Sequence, residues 1–392
     1  LGKIGVCSAL VASRSRARHR AALVHLAEML GVEVIDSIPE FLEWLEVDPA
    51  KAAPAATRRA SGFGPEVAAR PGDPPLDEET RALVAYLFRD ARRVELARLG
   101  GGFSGSQVFR TRSVDRDGRA EVPFVVKVDT HATIAKERVA VESVESLLGG
   151  ASPVMADFVD LETLGAIKYG FASMHAGETR TLLDRLRKAR TPDEVRRLFE
   201  GVFRVLALLH QAPRPERIQL FQHFTFKKEY AESTLSRARA IAGAPDHADV
   251  RALEAFYERL PERLAEDPHE VPVAMIHGDL NLANLLQDDA GNTWMIDYFW
   301  TAPGPVLQDA AKLENDLRFV AFPADDATGR REAALEALSA YVERLLGAPP
   351  DPRAHAVAAL RYAAHSLSFE ECDPAQKRAA LARAAELART LT

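Results

Sequence analysis

The sequence predicts an α+β fold preceded by a short α/β segment, and three observations carry that expectation. Between residues 94 and 148, strand-like runs broken by a glycine-rich turn lead into one amphipathic helix. Between residues 271 and 297, an apolar run, a polar loop and a hairpin follow one another. Ahead of both, residues 48–77 hold Pro49, Pro54, Pro65, Pro71, Pro74 and Pro75 among Ala, Gly and Arg, which reads as a linker. The expected organisation is therefore an α/β segment at 1–47, a linker at 48–77 and a main domain at 78–392.

Residues 3–12 form a short apolar run, and residues 15–30 show helical periodicity through Leu23, Leu26, Ala27 and Leu30, closed by Gly31. Val32–Ile35 is a second apolar run, and Pro39 opens a segment with Phe41, Leu42 and Leu45 on one helical face. Strand, helix, strand, helix suits a parallel unit, yet about fifty residues are too few to complete such a sheet. Its layout is similar to the closing half of a bacterial receiver domain, and a truncated one is expected. Arg14, Arg16, Arg18 and Arg20 read as a solvated helix face. The chain opens on Leu1 rather than Met, so a preceding segment is expected.

The net charge of −7 argues against duplex DNA or an anionic membrane as the main partner. No apolar run approaches the ~18 residues that a membrane span needs. Cys7 and Cys372 sit in no Cys-x-x-Cys arrangement and read as reduced thiols of a cytoplasmic protein. Phosphorylated ligands stay open, because a local cluster of Lys and Gly can cradle phosphate within an acidic protein.

Along the main domain, Val94–Leu99 is strand-like and leads through Gly100, Gly101, Gly102, Phe103, Ser104, Gly105 and Ser106 into Gln107–Arg110. Strand, glycine turn and strand is how backbone N–H groups approach nucleotide phosphates, with Gly100, Gly102, Ser104 and Gly105 as candidates. Taken alone, a flexible hairpin accounts for the run equally well. Next, Phe124–Asp129 is an apolar strand that contains Lys127, whose ammonium should be paired. The following helix carries Ile134, Val141, Val144 and Leu148 on one face, and Glu137 falls in that stripe. A Lys127–Glu137 ion pair is expected, with the lysine on the phosphates and Glu142 or Glu145 as substitute partners. A snorkelling lysine with a peripheral glutamate is the plainer alternative.

The densest signal is His277-Gly278-Asp279-Leu280-Asn281-Leu282-Ala283-Asn284, delivered by Val271, Val273 and Met275. Leu285-Leu286, a turn at Asp288–Asn292, and Trp294–Ile296 form a hairpin that brings Asn284 and Asp297 to one end. Phosphoryl transfer needs a base for the acceptor hydroxyl and hard oxygen ligands for magnesium. Asp279 is the candidate base; Asn284 and Asp297 are the candidate metal ligands. Asx turns explain any one of these residues, but not their joint spacing.

These residues resemble the aminoglycoside phosphotransferase branch of the protein-kinase-like superfamily, and within it the bacterial ternary-complex-associated domain 9. The resemblance rests on Gly100–Gly105, Val126-Lys127, Lys136-Glu137, His277–Leu286, Trp294–Tyr298, Gly304–Asp309, Lys312–Glu314 and Arg361–Glu371, and runs from about residue 85 to the end. It implies two lobes: a small sheet plus helix at 92–170, and a helical lobe at about 174–392. A hinge at Lys168–Ser173 would meet the base, and Asp309 would be a structural aspartate. It also implies magnesium with ATP or GTP as co-substrate, an unidentified small-molecule or protein hydroxyl acceptor, and a bacterial signalling or conflict context. Protein partners would be reached through the N-terminal segment, and no nucleic acid is involved. The alternative is a catalytically weak or inactive nucleotide-sensing scaffold. Tyr298-Phe299 stands where Phe-Gly would follow Asp297, and no acidic cluster matches an aminoglycoside. His277 is expected to orient the loop, while His210, His223 and His365 read as packing or surface residues. Trp44, Trp294 and Trp300 read as core or lobe-interface aromatics.

Overall fold

The computed structural model describes residues 5–7, 33–35, 64–98, 106–149, 155–161, 163–170, 179–244, 246–323, 325–370 and 372–391. The chain divides into two compact units, Leu1–Gly64 and Pro65–Thr392. In the first, β1 (Gly5–Cys7) pairs in parallel with β2 (Glu33–Ile35). That is the pairing a strand–helix–strand order implies. The helices expected around it, and Arg14–Arg20, lie outside the described residues.

The second unit begins inside the stretch expected to be linker. Glu66–Ala69 form β3, which pairs in parallel with β4 (Ala91–Arg98), Val67 opposite Val94. Between them lies α1 (Glu78–Leu87), whose N-cap Asp77 accepts the Thr80 N–H at 2.7 Å. β3 is an edge strand with Pro65 and Pro71 flanking rather than interrupting it, so no ladder donor is lost. The first lobe thus starts at β3, not near residue 92.

That lobe continues with β5 (Gln107–Asp115), β6 (Phe124–Thr130), α2 (His131–Leu148), β7 (Met155–Asp160) and β8 (Leu164–Gly170). The sheet runs β3-β4-β5-β6-β8-β7 and is antiparallel apart from β3–β4. Val126, Val128 and Ala166 pack with Leu83, Val84 and Leu87 of α1 on one face. Because side chains alternate along a strand, Lys127 must emerge on the other face, towards α2. There Ile134, Val141, Val144 and Leu148 join Ile167 and Tyr169 in the same core as the helical lobe. Each such buried aliphatic side chain contributes about 1.5–3 kcal/mol, which clamps α2 between sheet and helical lobe.

The second lobe comprises β9 (Arg180–Thr181), α3 (Leu182–Lys188), α4 (Pro192–Leu209), β10 (Arg214–Ile218), α5 (Leu220–His223), α6 (Lys228–Ala242), α7 (Ala248–Glu258) and α8 (Leu260–Leu264). It continues with β11 (His269–Ile276), β12 (Leu285–Gln287), β13 (Thr293–Met295), β14 (Ala302–Pro305), α9 (Val306–Phe319), α10 (Arg330–Leu346), α11 (Pro352–Ser366) and α12 (Pro374–Leu391). Two small sheets, β10-β11-β14 and β13-β12-β9, carry the central loop between them. The helix α4 starts at an N-cap, Thr191, followed by Pro192, and buries Val195, Phe199, Val202, Leu206 and Leu209 along one stripe. It lies directly on the β12–β13 hairpin because of Gly201, where a Cβ would meet Thr293 Oγ1 at 2.5 Å and the Gly291 carbonyl at 2.6 Å. No helix among the described residues is long and apolar enough to cross a membrane.

Candidate functional site

Lys127, on β6, reaches two carboxylates from distant parts of the chain. Its Nζ lies 2.7 Å from Glu137 Oε2 on α2 and 2.8 Å from Asp297 Oδ1, just past β13. Lys127 is buried and Glu137 fully so, and Tyr169 of β8 donates its hydroxyl to the other Glu137 oxygen at 2.7 Å. Burial alone would lower the Lys127 pKa, but the Glu137 and Asp297 carboxylates outweigh it and raise it above its ordinary value. The ammonium is therefore charged. The Lys127–Glu137 pair exists as expected, so neither Glu142 nor Glu145 is needed as its substitute.

Asp297 sits at φ +66°, a left-handed conformation that non-glycine residues seldom adopt and that Asp tolerates better than most. One of its oxygens faces Lys127; the other has no hydrogen bond among the described residues. Asn284, 8 % exposed, donates Nδ2 to the Asp279 carbonyl at 3.0 Å, which leaves its amide oxygen unengaged among the described residues. The Ile296 N–H, one residue before Asp297, donates to the Asn284 carbonyl at 3.0 Å, so the hairpin does bring the two ends together. Two hard oxygens at one end of a hairpin are the donor type that magnesium takes, and phosphate and water would have to complete its shell. No group of three His, Cys, Asp or Glu able to hold a metal occurs among the described residues.

Asp279 stands apart from its neighbours. Its side chain is 40 % exposed, Asn281 Nδ2 lies 3.4 Å from one oxygen, and Lys312 Nζ lies 3.9 Å from the other. The loop that presents it is over-determined from beneath. Leu280 and Leu282 are fully buried, and Asn281 Oδ1 accepts the Ala283 and Asn284 N–H groups at 3.0 and 2.9 Å. Gly278 holds φ +83°, with the Trp300 carbonyl so near that a Cβ would meet it at 2.3 Å, so only glycine fits.

Below the loop, Asp309 of α9 accepts the His277 and Gly278 N–H groups at 2.8 and 2.9 Å and the His210 ring at 3.0 Å. Tyr341 lies 3.1 Å from the other His210 nitrogen. Burial would raise the Asp309 pKa, yet the His210 hydrogen bond and charge hold it below its ordinary value. The His277 ring donates Nε2–H to the Ile296 carbonyl at 2.9 Å, which ties the loop to the hairpin. Asp316 accepts the Leu282 N–H at 3.1 Å and Lys312 Nζ at 3.3 Å.

Several partners escape a sequence reading. His210, taken for packing or surface, is a buried member of the Asp309 network, because nothing local marks a histidine that pairs across 99 residues. Lys312 and Asp316, four apart on α9, do carry a local signal, the spacing of a helical ion pair. Of the two places expected for Trp300, core or lobe interface, it takes the second: it is 59 % exposed, and Lys136 Nζ of the first lobe lies 4.2 Å from its ring centroid and 3.9 Å from that of Phe299. Gly100, Gly102, Ser104 and Gly105 lie outside the described residues, as do 171–173 of the expected hinge.

The family model for ternary complex associated domain 9 matches residues 91–254 and 247–379. No curated protein matches the chain. A putative aminoglycoside phosphotransferase from Ralstonia eutropha is similar at 15 % identity and a TM-score of 0.49, covering 79 % of this chain and 98 % of that one. An aminoglycoside phosphotransferase from Streptomyces rimosus gives 18 %, 0.44, 75 % and 100 % for the same measures. A hygromycin B complex of a third such enzyme, with AMP-PNP, gives 17 %, 0.45, 78 % and 98 %. With the family model spanning most of its length, this chain belongs to the ternary complex associated domain 9 family.

Proposed function

We propose that the protein is a magnesium-dependent phosphotransferase that moves the γ-phosphoryl group of ATP or GTP to a hydroxyl acceptor. The observation that carries this reading is the Lys127–Glu137–Asp297 triad. A lysine, a buried helix carboxylate and a strained loop aspartate, from three elements, converge within 2.8 Å. A purely structural ion pair needs neither the third member nor the left-handed backbone of Asp297.

In this reading Glu137, fixed by Tyr169, aims the Lys127 ammonium at the nucleotide phosphates. Asn284 and Asp297 would hold magnesium, which neutralises developing charge on the phosphates. Asp279 accepts the proton of the acceptor hydroxyl as its oxygen bonds to the γ-phosphorus and the β–γ bridge breaks, releasing the nucleoside diphosphate. The buried Asp309 and Asp316 contacts keep the loop in place during that transfer. The acceptor in this reading is a small molecule or a protein, in a bacterial signalling or conflict setting.

The test is thermal and catalytic together. Nucleotide with magnesium should stabilise the protein by RT ln(1 + [L]/Kd), about 2.7 kcal/mol at a hundredfold excess over Kd. Asp297→Asn keeps the turn and should lose the magnesium-dependent part. No shift with either nucleotide would defeat the proposal. A shift without labelled-phosphate transfer or release, in wild type as in Asp279→Asn, would mark a nucleotide-sensing scaffold instead.

A further inference from the structure

The helical lobe contains a cavity of about 470 Å³ between the loop at Thr225–Lys227, α6, α7 and the end of α11. That volume suits a small molecule. Its charged and polar lining includes Lys227, Arg237, Arg361, His365, Ser233 and Ser368, and no Asp or Glu lines it. Neither Arg237 nor Arg361 has a carboxylate within ion-pair distance among the described residues. A second cavity, of about 350 Å³, beside α12 shows the contrast. There Arg318 lies 2.7 Å from Glu314 and Arg383 lies 2.9 Å from Glu386, so two of its three arginines already face carboxylates.

Two chains of contacts lead from the larger cavity to the catalytic loop. The His365 ring packs edge-on against Phe369 at 5.1 Å; Lys312 Nζ lies 5.5 Å from the Phe369 ring and 3.9 Å from Asp279. Next to the other wall, but not lining it, His223 donates Nε2–H to Gln308 Oε1 at 2.8 Å, and Gln308 donates to the Gly278 carbonyl at 3.0 Å. Thr225, two residues on, lines the cavity at φ +57°, a strained conformation held by the Thr225 N–H bond to the Gln222 carbonyl at 3.0 Å. Partial desolvation of the His365 ring, with the Arg361, Lys312 and Arg237 charges, lowers its pKa to about 4, so the guanidinium groups supply the field.

We propose that this cavity binds the phosphate monoester group of a small hydroxyl-bearing acceptor, its wall being linked to Asp279 through His365, Phe369 and Lys312. The assignment rests on the phosphotransferase reading for its link to transfer, but the anion site stands on its own lining. Two guanidinium groups and a lysine with surrounding hydroxyls match a tetrahedral dianion. They would repel the polycationic acceptor of an aminoglycoside-modifying enzyme.

Calorimetric titration of the full chain with glycerol 3-phosphate, glycerate, glycerol and hygromycin B tests this. Glycerol 3-phosphate should bind at least tenfold tighter than the other three. Arg361→Gln should weaken it at least tenfold, while Lys127→Ala leaves it unchanged. Arg237→Glu, on an exposed position of α6, should weaken it at least threefold and keeps the test open if Arg361→Gln fails to fold. Equal binding of glycerate would replace phosphate by carboxylate; equal binding of glycerol or hygromycin B would overturn the site. Loss in Lys127→Ala but not in the arginine variants would place the probe on the nucleotide side and overturn it too. Arginine-dependent phosphate binding without any nucleotide binding would defeat the phosphotransferase reading and leave the anion site intact.

Discussion

Two sets of acidic residues in the helical lobe differ in how fully they are engaged. Beneath the loop, Asp309 is fully buried and accepts two backbone N–H groups and a histidine. Beside it on α9, Glu314 takes His355 at 2.7 Å and Arg318 at 2.7 Å. At the mouth, Asp279 and Asp297 are 40 % and 34 % exposed, and each keeps acceptor capacity unused among the described residues. Asp297 also holds a strained backbone. Satisfied carboxylates contribute to folding; under-satisfied ones, held by their neighbours, are available to a ligand.

If that division holds, substitutions should separate by their effect on folding. Asp309→Ala should cost the most, about 3–5 kcal/mol, because three buried donors lose their acceptor. A urea midpoint giving less than 1 kcal/mol would erase the distinction. Glu314→Gln comes next. Burial pushes the Glu314 pKa up, but the His355 hydrogen bond and charge, with Arg318, hold it down at about 2. A depressed carboxylate stabilises above its ordinary pKa of 4.5 and loses that contribution as pH falls towards 2. The variant should therefore be destabilised by on the order of 3 kcal/mol at pH 7 and progressively less below pH 4. Denaturation curves at pH 7 and pH 3 that differ by the same amount would contradict this.

Lys136→Met should cost only about 0.5–1 kcal/mol, the worth of an exposed cation over aromatic faces. Because Phe299 and Trp300 directly follow the Asp297 loop, the same variant should weaken magnesium–nucleotide binding by a few-fold, measurable by titration. Asp279→Asn should change folding least, by less than about 0.5 kcal/mol. Its effect belongs in the rate, a loss of about 10²–10⁴-fold in transfer with nucleotide affinity kept. A variant that loses stability instead would move Asp279 into the satisfied set.

Much of this was legible locally. The Lys127 position in an apolar strand, the Glu137 place in the helical stripe, and the spacing from Asp279 through Asn284 to Asp297 are periodic or short-range features. Such features are set by strand alternation, helix pitch and hairpin closure, all properties of neighbouring residues. The linker reading failed at β3 because proline content is a local rule, whereas an edge strand exists only when a partner, here β4, supplies the ladder.

By itself, then, the sequence determined which residue types stand at which phase of each element, and hence which side chains share a face. Only the tertiary structure decided the partners. Lys127 meets Asp297 across 170 residues, His210 meets Asp309 across 99, and Arg237 and Arg361 come to line one cavity without a carboxylate. Those pairings depend on how α2, α4, α9 and α11 pack against the sheets. No window of sequence encodes that geometry, because the burial that drives it is shared among residues far apart in the chain.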